Sequence, residues 1–296
     1  MQDINVIYER AKVALSLQKN QLAIRLAEEI LIHNPNDEFA YYIISRSYFN
    51  LDQYNEAEKY IKLALKYSPE DEYNLALYSN ILLLTKEYTS ALNISDDTLA
   101  INPKQYTALF VRVSALKYLK EYKRAEELAK YALSIYPNSD TFHKELGDIY
   151  SETNQIKLAE QEFLEALRIN PNDSVTLNNF GVYFYDNKIK KGNKTALELF
   201  KRSLQINPND KTVIENYQTC VQKQNKLFVI CKFYKDEFEY GISYRNLLIL
   251  ALLYSIFIFN DLSYFIIFVI ITIPSLIIYF ISNLFIKNFN QKYNIE

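Results

Sequence analysis

Six of the seven prolines in this chain keep a regular beat. Pro35, Pro69, Pro103, Pro137 and Pro171 follow one another at 34 residues, and Pro208 comes 37 later. Their settings are related: HNPND at 33–37, YSPED at 67–71, INPKQ at 101–105, IYPNS at 135–139, INPND at 169–173 and INPND at 206–210. Proline removes a backbone donor and biases the residue before it away from helix, so each of these sites ends a helical unit. The Asp or Asn just beyond is placed to cap the next helix. A single short helical hairpin cannot cover its own apolar face, so units recurring at this period must stack on one another. Only Pro274 stands outside the series.

With each unit begun 31 residues before its proline, the rest of the pattern aligns. The unit at 140–173 carries His143, Leu146, Gly147 and Tyr150 on a first helix, then Ala159, Phe163 and Ala166 on a second. The unit at 38–71 gives Tyr41, Ile44, Ser45, Tyr48, Ala57, Ile61 and Ala64. The unit at 174–210 gives Leu177, Phe180, Gly181, Phe184, Ala196, Phe200 and Ser203, with three extra residues placed near Lys188–Asn193. Units 4–37 (Ile7, Ala11, Ala14, Ala23, Ala27) and 72–105 (Leu75, Ser79, Leu82, Ala91) follow the pattern less closely, and 106–139 completes the set. Ala23, Ala57, Ala91, Ala125, Ala159 and Ala196 recur at one position in all six, where a small residue lets two helices approach. Only four glycines occur in the chain, which also favours continuous helix over a strand-and-turn fold.

On these residues the chain resembles the tetratricopeptide repeat (TPR) family over 4–210. The resemblance implies an all-α, right-handed superhelix of six helix-turn-helix repeats. Residues 211–224 begin like a further first helix, with Ile214, Tyr217 and Val221 at helical spacing, and no matching second helix follows. We assign 211–240 to a capping helix and juxtamembrane linker. Within it, the aromatic stretch 227–240 suits either an interfacial helix or a helix packed on the end of the stack.

Composition changes after Arg245. Between Asn246 and Ile286 the only charged residue is Asp261. Residues 262–286 are long enough to span a bilayer core, which needs about 20 residues, and Pro274 is a kink that membrane helices tolerate. A helix from Ile242 to Phe259 would reach about 27 Å at about 1.5 Å per residue if Arg245 extends to the headgroups. The sequence therefore predicts a membrane region at 242–286 made of two helices, 242–259 and 262–286. Asn260-Asp261 forms the turn, and a short polar tail covers 287–296. Lys232, Lys235 and Arg245 on one flank, with Lys287 and Lys292 on the other, place both flanks on the same, cytoplasmic side. A single span at 262–286, with 247–259 lying shallow, is the alternative.

No constellation in the sequence points to catalysis, a cofactor or a metal site. GxGxxG, P-loop, HExxH and GxSxG patterns are absent. His143 sits at a packing position of its repeat and His33 lies next to a turn. Cys220 and Cys231 lack CxxC spacing and read as unpaired thiols. A net charge of −2 gives no electrostatic case for nucleic acid. In TPR arrays the second, fifth, ninth and twelfth repeat positions line a concave groove. Here they are Phe39, Tyr42, Arg46 and Phe49; Tyr73, Ala76, Asn80 and Leu83; then Thr107, Phe110, Ser114 and Lys117. Lys144, Asp148 and Ser151 follow in the fifth repeat, and Asn178, Val182 and Tyr185 in the sixth. The resemblance thus implies partner-binding residues Phe39, Tyr42, Arg46, Phe49, Tyr73, Asn80, Phe110 and Lys117. The carboxylate clamp of chaperone-binding relatives is not reproduced, because its first-repeat positions hold Tyr8 and Lys12. The expectation is an adaptor or scaffold, not an enzyme, integral to a bacterial inner or plasma membrane. Its repeats face the cytoplasm and bind a protein or peptide. The alternative is an accessory subunit of a membrane enzyme or transporter complex in which the hairpin makes the functional contacts.

Overall fold

The computed structural model describes residues 4–186, 192–225, 228, 229, 231, 232 and 262–293, with the backbone alone for 262–276. These residues form fourteen helices and no strand. Six pairs follow in order: α1 (Ile4–Ser16) with α2 (Asn20–His33), α3 (Glu38–Asn50) with α4 (Tyr54–Tyr67), and α5 (Glu72–Leu84) with α6 (Tyr88–Ile101). Then come α7 (Tyr106–Tyr118) with α8 (Tyr122–Ile135), α9 (Asp140–Glu152) with α10 (Ile156–Ile169), and α11 (Ser174–Asp186) with α12 (Gly192–Ile206). Two single helices complete the set, α13 (Lys211–Gln224) and α14 (Leu262–Tyr293). The chain divides into two compact units, Met1–Pro171 and Asn172–Glu296.

In the first unit each helix packs on its pair partner, and each second helix packs on the first helix of the next pair. The recurrent alanines Ala23, Ala57, Ala91, Ala125 and Ala159 are fully buried there, as is Ala196 in the second unit. Where a repeat carries glycine eight residues into its first helix, the facing second helix answers with phenylalanine. A methyl group on Gly147 would lie 2.8 Å from the Phe163 ring, and one on Gly181 would lie 2.6 Å from Phe200. Ser45 occupies the same position in its repeat and donates from Oγ to the Ala57 carbonyl at 2.7 Å. That bond satisfies a polar group which the close contact would otherwise strand.

Helix starts follow the capping logic of the Pro-x-x motifs. The Asp37 carboxylate accepts from the Ala40 amide at 2.8 Å, and the Asp71 carboxylate from Asn74 at 2.8 Å. Asp173 and Asp210 serve Thr176 and Val213 in the same way. Gln105 and Ser139 do so for Ala108 and Phe142, though neither is an aspartate. Each cap contributes about 1 kcal/mol. The turns inside the repeats are equally uniform. Gln18, Asp52, Lys86, Lys120 and Asn154 all have positive φ, between 55° and 67°. Each ends its helix in a Schellman arrangement, as where the Glu87 amide reaches the Leu82 carbonyl at 2.8 Å.

In the second unit, α13 packs on α12 and buries Val213, Cys220 and Val221. Val221 shares a cluster with Phe228 and with Phe289 of α14. The expected polar tail is different in the structure, because α14 continues to Tyr293. Phe285, Phe289 and Tyr293 recur every fourth residue, which gives this end of the helix an aromatic side packed on Phe228. Among the described residues no helix is long and apolar enough to cross a membrane. The transmembrane hairpin expected at 242–286 thus finds no support there. Its first arm and its turn lie outside the described residues, and the part of α14 with described side chains carries Lys287 and Lys292. The insertion expected at Lys188–Asn193 also falls largely outside them.

The conserved turn geometry makes a direct prediction. A residue with a Cβ carries roughly 1 kcal/mol of strain in the left-handed region that glycine does not. Lys120→Gly should therefore raise the melting temperature, and Asn154→Gly should raise it less, because asparagine tolerates this region. Thermal unfolding by circular dichroism checks both; a lower melting temperature for Lys120→Gly would count against the assignment.

A second prediction concerns the glycine contacts. Gly181→Ala should cost about 1–3 kcal/mol by overpacking, and Phe200→Leu in the same chain should recover part of the loss. Additive losses in the double variant would show that the two positions do not compete for space.

Candidate partner-binding face

Within Met1–Pro171 the first helices are also neighbours of one another: α1 touches α3, α3 touches α5, α5 touches α7 and α7 touches α9. Side chains at the second, fifth, ninth and twelfth repeat positions fall along this row. In α3, Phe39, Tyr42, Arg46 and Phe49 are all half-buried. Tyr8 of α1, Phe39 and Tyr42 form a chain of stacked rings, with centroids 6.3 Å and 6.1 Å apart. Cations sit over this chain and beside it. Lys12 Nζ lies 5.5 Å from the Phe39 ring, and the Arg46 guanidinium lies 5.2 Å from the Phe49 ring. Such contacts contribute about 0.5–1 kcal/mol at exposed sites. The Tyr8 hydroxyl donates to the Asp37 carboxylate. Burial, this hydrogen bond and the nearby negative charge all push the Tyr8 phenol well above its usual range. Burial likewise raises Tyr42.

The remaining expected residues separate into three groups. Tyr73 is 60 % exposed on α5 and Asn80 is half-buried on the same helix. Phe110 packs against the core cluster of Leu82, Leu83, Ala91, Val111 and Ala115, with part of its ring accessible. Ala76, Leu83 and Ser114, which the repeat positions imply should line a groove, are buried. The close packing of α5 on α7 covers them, so they belong to the core.

Lys117 is the third case. Its side chain is only 13 % exposed, and Nζ lies 2.7 Å from Glu145 Oε2 and 2.8 Å from Asp148 Oδ2. Burial alone would lower the Lys117 pKa, but Glu145 and Asp148 outweigh it and hold the ammonium well above its ordinary value. For Glu145 the positive charges of Lys117 and Lys144 outweigh burial, so its carboxyl stays below the usual range. For Asp148 burial dominates and its carboxyl is raised. Lys117 is therefore a tie between α7 and α9, not a cation offered to a ligand. Glu145 was not among the sequence-derived candidates. The signal that could have found it is its place three residues before Asp148, one turn away on the same helix face, since Asp148 lies 31 residues beyond Lys117 and faces it from the next first helix. Arg112 is similarly committed, with Nε 2.7 Å from Asp96 Oδ1.

In the second unit, Asn178 Oδ1 accepts from Asn216 Nδ2 at 2.9 Å, and Lys223 Nζ lies 4.0 Å from the Tyr185 ring centroid. Both contacts are made with α13. Among the described residues no cluster of three or more His, Cys, Asp or Glu side chains is arranged to hold a metal. His143 Nδ1 is 2.7 Å from Glu162 Oε2, an interaction between the two helices of one repeat. Cys220 and Cys231 are free thiols, both buried.

Comparison with known proteins supports the repeat fold. Residues 118–175 match the model for the tetratricopeptide repeat, and residues 50–132 match that for subunit 3 of the anaphase-promoting complex, or cyclosome. No curated protein matches the chain. Among solved structures, a thermophilic TPR protein from Thermus thermophilus is 17% identical at a TM-score of 0.58, covering 62% of this chain and 99% of that one. PilW, a widely conserved type IV pilus biogenesis factor, is 19% identical at 0.62, covering 75% and 99%. The Cut9–Hcn1 hetero-tetramer of the anaphase-promoting complex is 12% identical at 0.65, covering 77% of this chain and 45% of the other. Identities this low establish the fold, an all-α array of TPR-like helix pairs, and such a scaffold is consistent with protein binding.

The tie at Lys117 is testable through its pH dependence. Lys117→Met leaves Glu145 and Asp148 buried without their partner and should cost about 3 kcal/mol near neutral pH. Without the Lys117 ammonium, burial raises the Asp148 carboxyl further, and Glu145 keeps only the more distant Lys144 to offset its own burial. The native state then binds more protons than the unfolded chain, and stability grows as pH falls. The melting deficit of Lys117→Met relative to wild type should therefore shrink between pH 7 and pH 5. An equal deficit at both would assign the loss to packing instead.

Proposed function

We propose that this chain is a membrane-anchored adaptor whose first-helix row in Met1–Pro171 binds a partner protein or peptide. The observation that carries the reading is the half-exposed strip of Tyr8, Phe39, Tyr42, Phe49 and Tyr73 with Lys12 and Arg46 at its margin. Aromatic rings with a nearby arginine are the side chains that most often dominate interface energetics, because they exclude water over a large area and still offer a polar handle. Arg46 favours a partner segment carrying an acidic residue among apolar ones, whereas Lys12 is paired with Glu9. The first helices rather than the second supply the strip.

Anchorage rests on the sequence of 242–286, in which Arg245 and Asp261 are the only charges. A tether of that kind would hold the array at a bacterial inner or plasma membrane, facing the cytoplasm, and would raise the effective concentration of a partner already there. A second reading draws on the packing of Phe285 and Phe289 near Phe228 and Val221. A C-terminal helix docked in this way suits an accessory subunit whose apolar region makes the working contacts.

The experiment is affinity capture by the full chain from gently solubilised membranes, with wild type compared against Arg46→Glu combined with Tyr73→Ala. These two side chains are accessible, whereas Tyr42 and Phe110 also pack against core clusters, so their truncation would mix stability with binding. Partner recovery should fall at least about tenfold in the variant while helicity is unchanged. Equal recovery would reject the strip as the binding face. Exchange of 242–286 for an unrelated apolar hairpin should preserve capture if the region is only a tether, and abolish it under the second reading.

A further inference from the structure

Along α14 the side turned away from the protein changes character once, and the side packed on the protein does not. Ile277, Phe280 and Leu284 are 53%, 71% and 62% exposed. Lys287 and Gln291, also exposed, continue the same line at helical spacing, so one stripe runs apolar and then polar. The opposite stripe holds Phe285, Phe289 and Tyr293. It stays aromatic through the same level, with Phe289 packed on Phe228. The internal packing therefore does not require the switch. What changes is the medium around the exposed stripe, and it changes between Leu284 and Lys287, a rise of about 4.5 Å. Contiguous exposed apolar side chains of this size mark an interaction surface.

We propose that this stripe is immersed in the acyl chains of a phospholipid bilayer, with the water boundary crossing α14 between Leu284 and Lys287 and the Lys287 ammonium on lipid phosphate. The inference rests on the anchorage proposed above and adds the level at which the second unit meets the membrane. Two features select lipid over a protein groove. A groove covers one side of a helix, whereas residues 262–276, with which α14 begins, hold no charged side chain and no amide on any side. The charges that α14 does carry are Lys287 and Lys292, both cations and both beyond the switch. A lysine at such a boundary lays its stem along apolar surface and puts its ammonium among the phosphates. Phe289 lies two residues past Lys287, about 3 Å further along the axis. Its contact with Phe228 then falls at headgroup level, which seats this end of the second unit on the bilayer surface.

The chain contains no tryptophan, so a single introduced one reports on its own position. Phe280→Trp, Leu284→Trp and Gln291→Trp, each in the full chain bound to phosphatidylcholine vesicles, should divide at the proposed boundary. Emission from the first two should be lost to lipids brominated in their acyl chains and spared by aqueous iodide. Emission from the third should show the reverse. All three side chains are exposed, so the replacements leave the packed stripe intact. Leu284→Trp combined with Lys287→Glu should become open to iodide, because the phosphate contact is lost; unchanged protection would overturn the role of Lys287. A full chain that fails to float with the vesicles rejects the anchorage itself, and this boundary with it. A chain that floats while iodide quenches all three positions keeps the anchorage, moves it to 242–259 and overturns the boundary. Lipid quenching at position 291 overturns the boundary as placed. Shielding of positions 280 and 284 from both quenchers overturns lipid contact and assigns the stripe to a protein partner.

Discussion

Two helices of a repeat approach closely enough that the volume at their crossing is shared. Eight residues into the first helix and twenty-four into the repeat, or twenty-seven in the last repeat with its three extra residues, the chain holds Ala11 with Ala27, Ser45 with Ile61, Ser79 with Ser95, Val113 with Ala129, Gly147 with Phe163, and Gly181 with Phe200. Where one member is large, the other is small or absent. In the last two repeats the aromatic ring lies against the glycine backbone itself. Interiors packed at crystal-like density tolerate neither a hole nor an added methyl group, so this exchange of volume keeps six dissimilar sequences on one geometry. The caps, the left-handed turns and the alignment of the first helices in a row all require the pairs to meet at that spacing.

Electrostatics add a constraint that differs along the array. Most ion pairs link neighbours on one exposed helix, such as Lys130 with Glu126, and contribute little. The Lys117, Glu145 and Asp148 group differs because it joins separate repeats from a site where the side chains are only 4–16% exposed, whereas Arg112 and Asp96 across the preceding junction are 29% and 44% exposed. Removal of a single partner leaves charge in a dry site, so the group resists piecemeal change even where an apolar replacement of the whole would be tolerated.

The period of the prolines made the helix pairs, the recurrent alanines and the aspartate caps legible, because each depends on residues close in the chain. Gln105 and Ser139 took over the capping role by side-chain chemistry that an Asp-or-Asn rule does not include. The left-handed turns escaped notice since Gln18, Lys86 and Lys120 are not residues that announce positive φ. The candidate face was legible by position but not by environment. Ala76, Leu83 and Ser114 are covered by the tight packing of α5 on α7, and Lys117 finds partners that a list of groove positions does not contain. Hydropathy carried the reading of 242–286, whereas the aromatic repeat of Phe285, Phe289 and Tyr293 set the course of α14 past Lys287.

The inter-repeat tie at Lys117 also bears on how such an array can change its length. Turns and caps recur almost unaltered, so loss or duplication of one unit would leave most junctions chemically equivalent. The junction between α7 and α9 is not interchangeable. A recombination that separated these two repeats would leave a lone ammonium on one product and two sequestered carboxylates on the other. The fourth and fifth repeats are therefore expected to be inherited together, as one module of double size, with the more exposed Arg112–Asp96 pair binding the third repeat to them less tightly.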